Sequence, residues 1–198
     1  PETLSYLMAS FRKLKRFDLI SSNINDIHLQ TVYQRPRFLK DGVNNSVAIE
    51  KMSLRGNGGI TDEGISSMLK ADALRWLQSL DISECSNISD MALLGSFKDY
   101  RMFHRLVSLN VARTTVGSLG VRQITIACRS LTSLNLSHTL IVDDTLRDIG
   151  TGLGKLKELI IESCVLVTDD GVVALVGHVQ PDGSLDDSGG ENPYGWKG

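Results

Sequence analysis

Apolar residues recur along the chain in six copies of one pattern. Each copy has apolar side chains at its first, fourth and sixth positions and Asn, Cys, Ser or Thr at its ninth. The copies read LKRFDLISS from Leu14, IEKMSLRGN from Ile49, LQSLDISEC from Leu77, LVSLNVART from Leu106, LTSLNLSHT from Leu131 and LKELIIESC from Leu156. Their ninth positions, Ser22, Asn57, Cys85, Thr114, Thr139 and Cys164, lie 35, 28, 29, 25 and 25 residues apart. Self-similarity at such a period is the signature of stacked repeats.

Within a copy, the alternation through Leu80 and Ile82, or Leu134 and Leu136, predicts a short strand with one buried face. A helical segment follows. It is best marked by ITDEGISSMLK (60–70) and VTDDGVVALVG (167–177), where apolar residues recur at three- and four-residue intervals and Asp62 or Asp169 stands near the helix start. No copy can bury its own leucines, so neighbours must stack strand beside strand, about 4.8 Å apart, with the helices outside. Each buried Leu or Ile contributes roughly 1.5–3 kcal/mol, which makes the stack the source of stability.

The turn after the strand comes in two lengths. Where the ninth residue is Asn57, Cys85 or Cys164, the next apolar residue (Ile60, Ile88, Val167) comes three positions later. Where it is Ser22, Thr114 or Thr139, the next one (Ile24, Val116, Ile141) comes two later. The ninth side chain reads as a ladder that satisfies buried backbone groups, with a different geometry for a hydroxyl than for an amide or thiol. Cys85 and Cys164, and Cys128 just before a strand, are therefore expected to be buried, protonated and inert.

This pattern, continued in two copies as Cys-x-x-Ile/Val-Ser/Thr-Asp, resembles the leucine-rich repeat in its cysteine-containing subclass, as found in F-box proteins with leucine-rich repeats. The resemblance covers residues 14 to about 177. It implies an α/β leucine-rich-repeat solenoid of about six repeats, with a curved parallel sheet on the concave face and helices on the convex face. It also implies a non-catalytic protein-interaction scaffold. One form is the substrate-recognition region of an F-box-type ubiquitin ligase subunit, in which an F-box would dock the Skp adaptor; the other is a permanent structural subunit of a large axonemal, mitochondrial or other organellar assembly.

Composition adds bounds. With 198 residues, 41% hydrophobic content and only 6% aromatics, the chain suits one domain whose core is mainly Leu, Ile and Val. There is no run of 18 apolar residues, and PETLSYLMAS at the start lacks the character of a signal peptide, so a soluble chain without membrane insertion is expected. Opening at Pro1 rather than Met suggests a fragment or a processed form. Three scattered cysteines point to a reducing, intracellular setting, cytoplasmic or organellar. The sequons at Asn44, Asn87 and Asn135 are read as chance matches.

Candidate chemistry fails on spacing. GTGLGKL (150–156) has Ile149 where a phosphate loop needs its first Gly and Leu156 where Ser or Thr should stand. GNGG (56–59) lacks the third glycine of a dinucleotide fingerprint. There is no Gly-x-Ser-x-Gly elbow, His28, His104, His138 and His178 fall at unrelated positions, and no Cys-x-x-Cys pair exists. No enzyme activity, cofactor, metal or small-molecule substrate is expected. Charge instead forms a gradient. Residues 1–60 hold nine Lys/Arg against five Asp/Glu, residues 61–130 eight against seven, and residues 131–198 four against eleven. Without a basic stripe bearing aromatics, nucleic acid is an unexpected partner, whereas a protein of opposite gradient could be steered into register, within a multiprotein complex.

Positions three, five and seven of each copy should project onto the concave sheet face. The middle three copies place only small side chains there. Binding is expected at the ends, through Arg16, Lys51 and Arg55 on one side and Glu158 and Glu162 on the other, with Asp18, Asp81, Asn110 and Asn135 between them; a solvated face without a partner is the plain alternative. Residues 1–13 read as a helix of a preceding or capping repeat. Residues 30–48 read as an insertion or degenerate repeat, and 94–105, with Phe97, Tyr100 and Phe103, as a smaller insertion or an ordinary packed aromatic edge. The Gly/Asp-rich tail 178–198 is expected to cap the stack through Tyr194 and Trp196 or to lie on a partner.

Overall fold

Each repeat contributes one three-residue strand and then one helix. The computed structural model describes residues 14–33, 49–69, 74, 76–94 and 103–176 of the chain. The strands are β1 (Arg16–Asp18), β2 (Lys51–Ser53), β3 (Ser79–Asp81), β4 (Ser108–Asn110), β5 (Ser133–Asn135) and β6 (Glu158–Ile160), and they form one parallel sheet in sequence order. The helices are α1 (Asp26–Tyr33), α2 (Asp62–Leu69), α3 (Asp90–Leu94), α4 (Ser118–Ala127), α5 (Asp143–Gly152) and α6 (Asp169–Val176), each packed against the next. The helix α1 takes up residues 30–33, which the sequence had placed in an insertion; its remainder, like residues 1–13, lies outside the described residues.

The strand register follows the repeat pattern without slippage. Phe17, Met52, Leu80, Leu109, Leu134 and Leu159 pair in one row across the sheet. The first, fourth and sixth positions of repeats two to five are all buried, as stacking from both sides requires. In the outermost repeats Leu14, Leu19, Leu156, Leu159 and Ile161 are only partly buried. Phe103 is buried in the same core within a short 3-10 turn, Phe103–Arg105, and the Arg105 guanidinium stacks 4.3 Å from the Trp76 ring. That favours the packed aromatic edge over a free insertion; Phe97 and Tyr100 lie outside the described residues.

The turn after each strand is left-handed at position eight: Ser21, Gly56, Glu84, Arg113, His138 and Ser163 have φ between 47° and 74°. Only one of them is glycine, although a left-handed L-residue costs about 1–2 kcal/mol. The neighbouring repeat offsets that cost, because the position-eight N–H donates to the position-seven carbonyl of the next repeat, as in Glu84 to Ala112 and His138 to Glu162, both 2.8 Å.

The ninth side chains are buried beneath this turn in repeats two to six and divide by chemistry. Asn57 donates to the Leu19 and Leu54 carbonyls (2.6 and 2.7 Å) and accepts from the Ser22 and Ile24 N–H groups, tying two repeats together. The thiols of Cys85 and Cys164 donate back one repeat, to Leu54 O (3.2 Å) and Leu136 O (3.1 Å). The hydroxyls of Thr114 and Thr139 instead donate within their own repeat, to Val111 O and Leu136 O (2.6 and 2.5 Å). Where Asn or Cys stands at position nine, its carbonyl accepts from the N–H three residues on (Ile60, Ile88, Val167), which closes the longer turn.

The aspartates at the helix starts act between repeats. Asp26, Asp62 and Asp143 each accept both the N–H and the hydroxyl of the residue just before the next helix, Thr61, Ser89 and Thr168. The hydroxyls that donate backwards also accept the N–H two residues ahead, so one side chain caps its own helix and joins it to the preceding repeat. Asp90 accepts from the Gly117 and Gly120 N–H groups (2.7 and 2.9 Å).

Candidate protein-binding face

The strand register sets the floor of the concave face. Positions three align as Arg16, Lys51, Ser79, Ser108, Ser133 and Glu158, and positions five as Asp18, Ser53, Asp81, Asn110, Asn135 and Ile160. Position seven departs from expectation in the middle repeats. Ser83, Ala112 and Ser137 are buried rather than projecting: the longer Ile20, Arg55 and Glu162 at the same position, before the same left-handed turn, stay exposed, whereas these three are small. They form the recessed bottom of a groove along the sheet edge where the strands end.

The sides of that groove include residues that pattern reading missed. Glu84, Arg113 and His138, all at position eight, line it together with Arg55 and Glu162. Their signal in the sequence was weak, since position eight carries no constant residue type. Arg55 pairs with Glu84 at 2.8 Å, and the hydrogen bond between them, with their opposite charges, holds the Glu84 carboxyl below the usual glutamate range and raises Arg55. Arg113 Nη2 lies 2.9 Å from His138 Nε2. A guanidinium only donates, so a hydrogen bond at this contact has His138 Nε2 as its acceptor.

Asn110 and Asn135 are oriented by the backbone. Asn110 Oδ1 accepts the Ala112 N–H (3.1 Å) and Asn135 Oδ1 accepts the Ser137 N–H (2.9 Å), which assigns the oxygens and leaves each Nδ2 group without a partner among the described residues. Asp81 makes the same local turn to Ser83, from both N–H (3.0 Å) and hydroxyl (2.6 Å). These are the hydrogen-bonding groups of the central strip.

The ends differ from one another. At the basic end Arg16 is already paired with Asp18 (2.7 Å) and Arg55 with Glu84, while Lys51 has no ion-pair partner among the described residues. At the acidic end Glu158 accepts from the Ser133 hydroxyl (2.6 Å) and Glu162 stands exposed beside the groove. The sequence-predicted residues thus share one face, but only Arg55, Asn110, Asn135 and Glu162 line the groove itself. Tyr194 and Trp196 lie outside the described residues.

All three cysteines are buried and unpaired in disulfides. Burial pushes the Cys128 thiol up to about 12 and raises Cys85 as well. Among the described residues no His, Cys, Asp or Glu cluster has the arrangement to hold a metal ion, and no helix is long and apolar enough to cross a membrane.

Six in-register strands, one ladder residue per turn and helices on the opposite side make this a leucine-rich-repeat solenoid. The family model described as Leucine Rich repeat matches residues 49–69, 127–144 and 155–176. Among curated proteins none matches the sequence as a relative. Among solved structures, the tropomodulin C-terminal domain of Caenorhabditis elegans is similar at 11% identity, covering 65% of this chain and 80% of its own, with a TM-score of 0.50. Rad7 in the yeast Rad7–Elc1 complex is 13% identical, with 89% of this chain and 52% of that one covered and a TM-score of 0.38. A Listeria monocytogenes internalin is 16% identical, with coverages of 77% and 49% and a TM-score of 0.40.

Proposed function

We propose that the chain is a protein-interaction scaffold whose concave groove binds a partner backbone. One observation carries the reading. Asn110 and Asn135, side by side on β4 and β5, hold unpartnered Nδ2 donors over a recessed floor, a geometry suited to main-chain carbonyls of an approaching segment. Around these donors Arg113 and His138 lie toward the middle and Glu162 toward the acidic end, which sets partner orientation more than affinity.

The finer role implied by the resemblance is substrate recognition within an F-box-type ubiquitin ligase. The half-exposed leucines of the last repeat, Leu156 and Leu159, favour a second reading, a fixed subunit stacked end-on within a large intracellular assembly. Affinity capture with the full chain followed by mass spectrometry tests both. Cullin and Skp adaptor in the capture support the ligase; a fixed stoichiometric set surviving high salt supports the assembly. Asn110→Asp with Asn135→Asp keeps the local acceptors and removes both donors, so it should release partners held in the groove. Unchanged capture by that variant sinks the groove as the binding face.

A further inference from the structure

A different surface groups exposed apolar side chains of its own. Where the turns run into the helices, the solenoid has a second edge, tied across repeats by the parallel bridges Ser89↔Thr115 and Gly117↔Leu140. In the first three repeats the turns at this edge are polar, with Asn23, Asn25, Gly58, Ser86 and Asn87, although Ile27 and Met91 at the second helix position are 59% and 61% exposed. In the fifth and sixth repeats the turns become apolar. Leu119 is 60% exposed, Leu140 57%, Val165 83% and Leu166 50%, with Val142 between them in sequence. Leu119 and Leu140 lie in repeats flanked on both sides, so their exposure does not come from an open end of the stack. Leu140 and Val165 hold the tenth position of adjacent repeats, and exposed apolar side chains grouped in this way mark an interaction surface.

The charge around the patch selects its occupant. Asp144 and Asp170 occupy the same helix position as Leu119, the second residue of α4, α5 and α6. Asp144 is held by Arg147 (2.8 Å), but Asp169 and Asp170, both exposed, have no ion-pair partner among the described residues. The helices α5 and α6 carry Arg147 against Asp143, Asp144, Asp148, Asp169 and Asp170. The chain's own residues 177–198 hold Asp182, Asp186, Asp187 and Glu191 against Lys197, a balance of the same sign as the patch. A second copy using the same patch brings the same carboxylates together. We infer that the apolar edge of repeats four to six is a docking site for a basic amphipathic segment of another protein, its apolar side chains on Leu119, Leu140, Val165 and Leu166 and its Lys or Arg residues on Asp169 and Asp170. This site is independent of the concave groove.

The test uses the full chain, isotope-labelled, and two synthetic amphipathic peptides with identical leucine positions, one with lysine and one with glutamate at every polar position. The lysine peptide should shift the amide resonances of Leu119, Leu140, Val165 and Leu166, bind at least about tenfold more tightly than the glutamate peptide and weaken as salt rises. Leu140→Ser with Val165→Ser, both exposed positions, should abolish those shifts while circular dichroism stays unchanged. Equal binding of both peptides, or shifts centred on Asn110 and Asn135, overturns the proposal. It is also overturned if deleting residues 177–198 produces the same shifts without peptide, which makes the tail the occupant, or if the chain self-associates and Leu140→Ser disperses it.

Discussion

Asp62 accepts two hydrogen bonds from Ser89, one from its backbone N–H and one from its hydroxyl, each 2.6 Å long and spanning 27 residues of chain. The same arrangement joins Asp26 to Thr61 and Asp143 to Thr168, so the polar bonds between helices repeat with the period of the solenoid.

Asp62→Ala should therefore lower stability by about 2–3 kcal/mol, since bonds to a carboxylate are stronger than neutral ones and the Ser89 N–H loses its acceptor. Ser89→Ala keeps the backbone bond and should cost less. Urea midpoints of the two variants check the ordering, and equal losses would count against the backbone bond.

The third helix position reads out the first helix position one repeat earlier. Gly64, Ala92, Gly120 and Gly171 follow Asp26, Asp62, Asp90 and Asp143, whereas Thr145 follows Ser118 and shares a 2.6 Å hydroxyl contact with it. A side chain at Gly64 would collide with the Asp26 carboxylate. Gly64→Thr alone should destabilise by about 1–3 kcal/mol through overpacking, and Asp26→Ser in the same chain should restore much of the loss. Thermal unfolding of the single and double variants measures the coupling; strictly additive effects would refute it.

Leu134 is fully buried and Ser133 lies on the sheet face with its hydroxyl on Glu158. Leu134→Ala should cost roughly 2–5 kcal/mol, and Ser133→Ala within about 0.5 kcal/mol. A reversed order in denaturant titration would mean that the strand faces the other way.

Thiol chemistry offers a simple check on the ladder. Cys85, Cys128 and Cys164 are buried, and burial holds Cys128 up near 12 and raises Cys85. In mildly alkaline buffer the folded protein should leave all three unmodified by an alkylating reagent, and all three should react once urea unfolds the chain. Prompt labelling of the native protein at Cys85 would remove it from the turn.

The bonds from Thr168, backbone first and hydroxyl second, hold the Asp143 carboxyl below its ordinary range. A folded-state value below the unfolded one means that its stabilisation is complete above the ordinary carboxylate pKa of about 3.9 and lost as pH falls through the lowered value. Asp143→Asn should flatten part of the acid limb of a stability–pH curve and leave its slope near neutrality unchanged.

The strands, their register and the ladder positions were legible because each depends on spacing within one repeat. Leu80, Leu109 and Leu134 must align once every repeat has to bury the same face, and the Asn-or-Cys versus Thr division of turn lengths survived as two bonding geometries. The sequence by itself also marked the concave residues from Arg16 to Glu162. What only the tertiary structure decided were the pairings between repeats. Arg55 with Glu84, Arg113 with His138 and Asp62 with Ser89 join residues 25 to 29 apart; the ladder hydrogen bonds fix how adjacent repeats sit, and these side chains meet across that spacing. The left-handed turn brought position eight into the groove, above the small Ser83, Ala112 and Ser137 of its floor, because a single residue's φ redirects a side chain without altering the apolar pattern on either side of it.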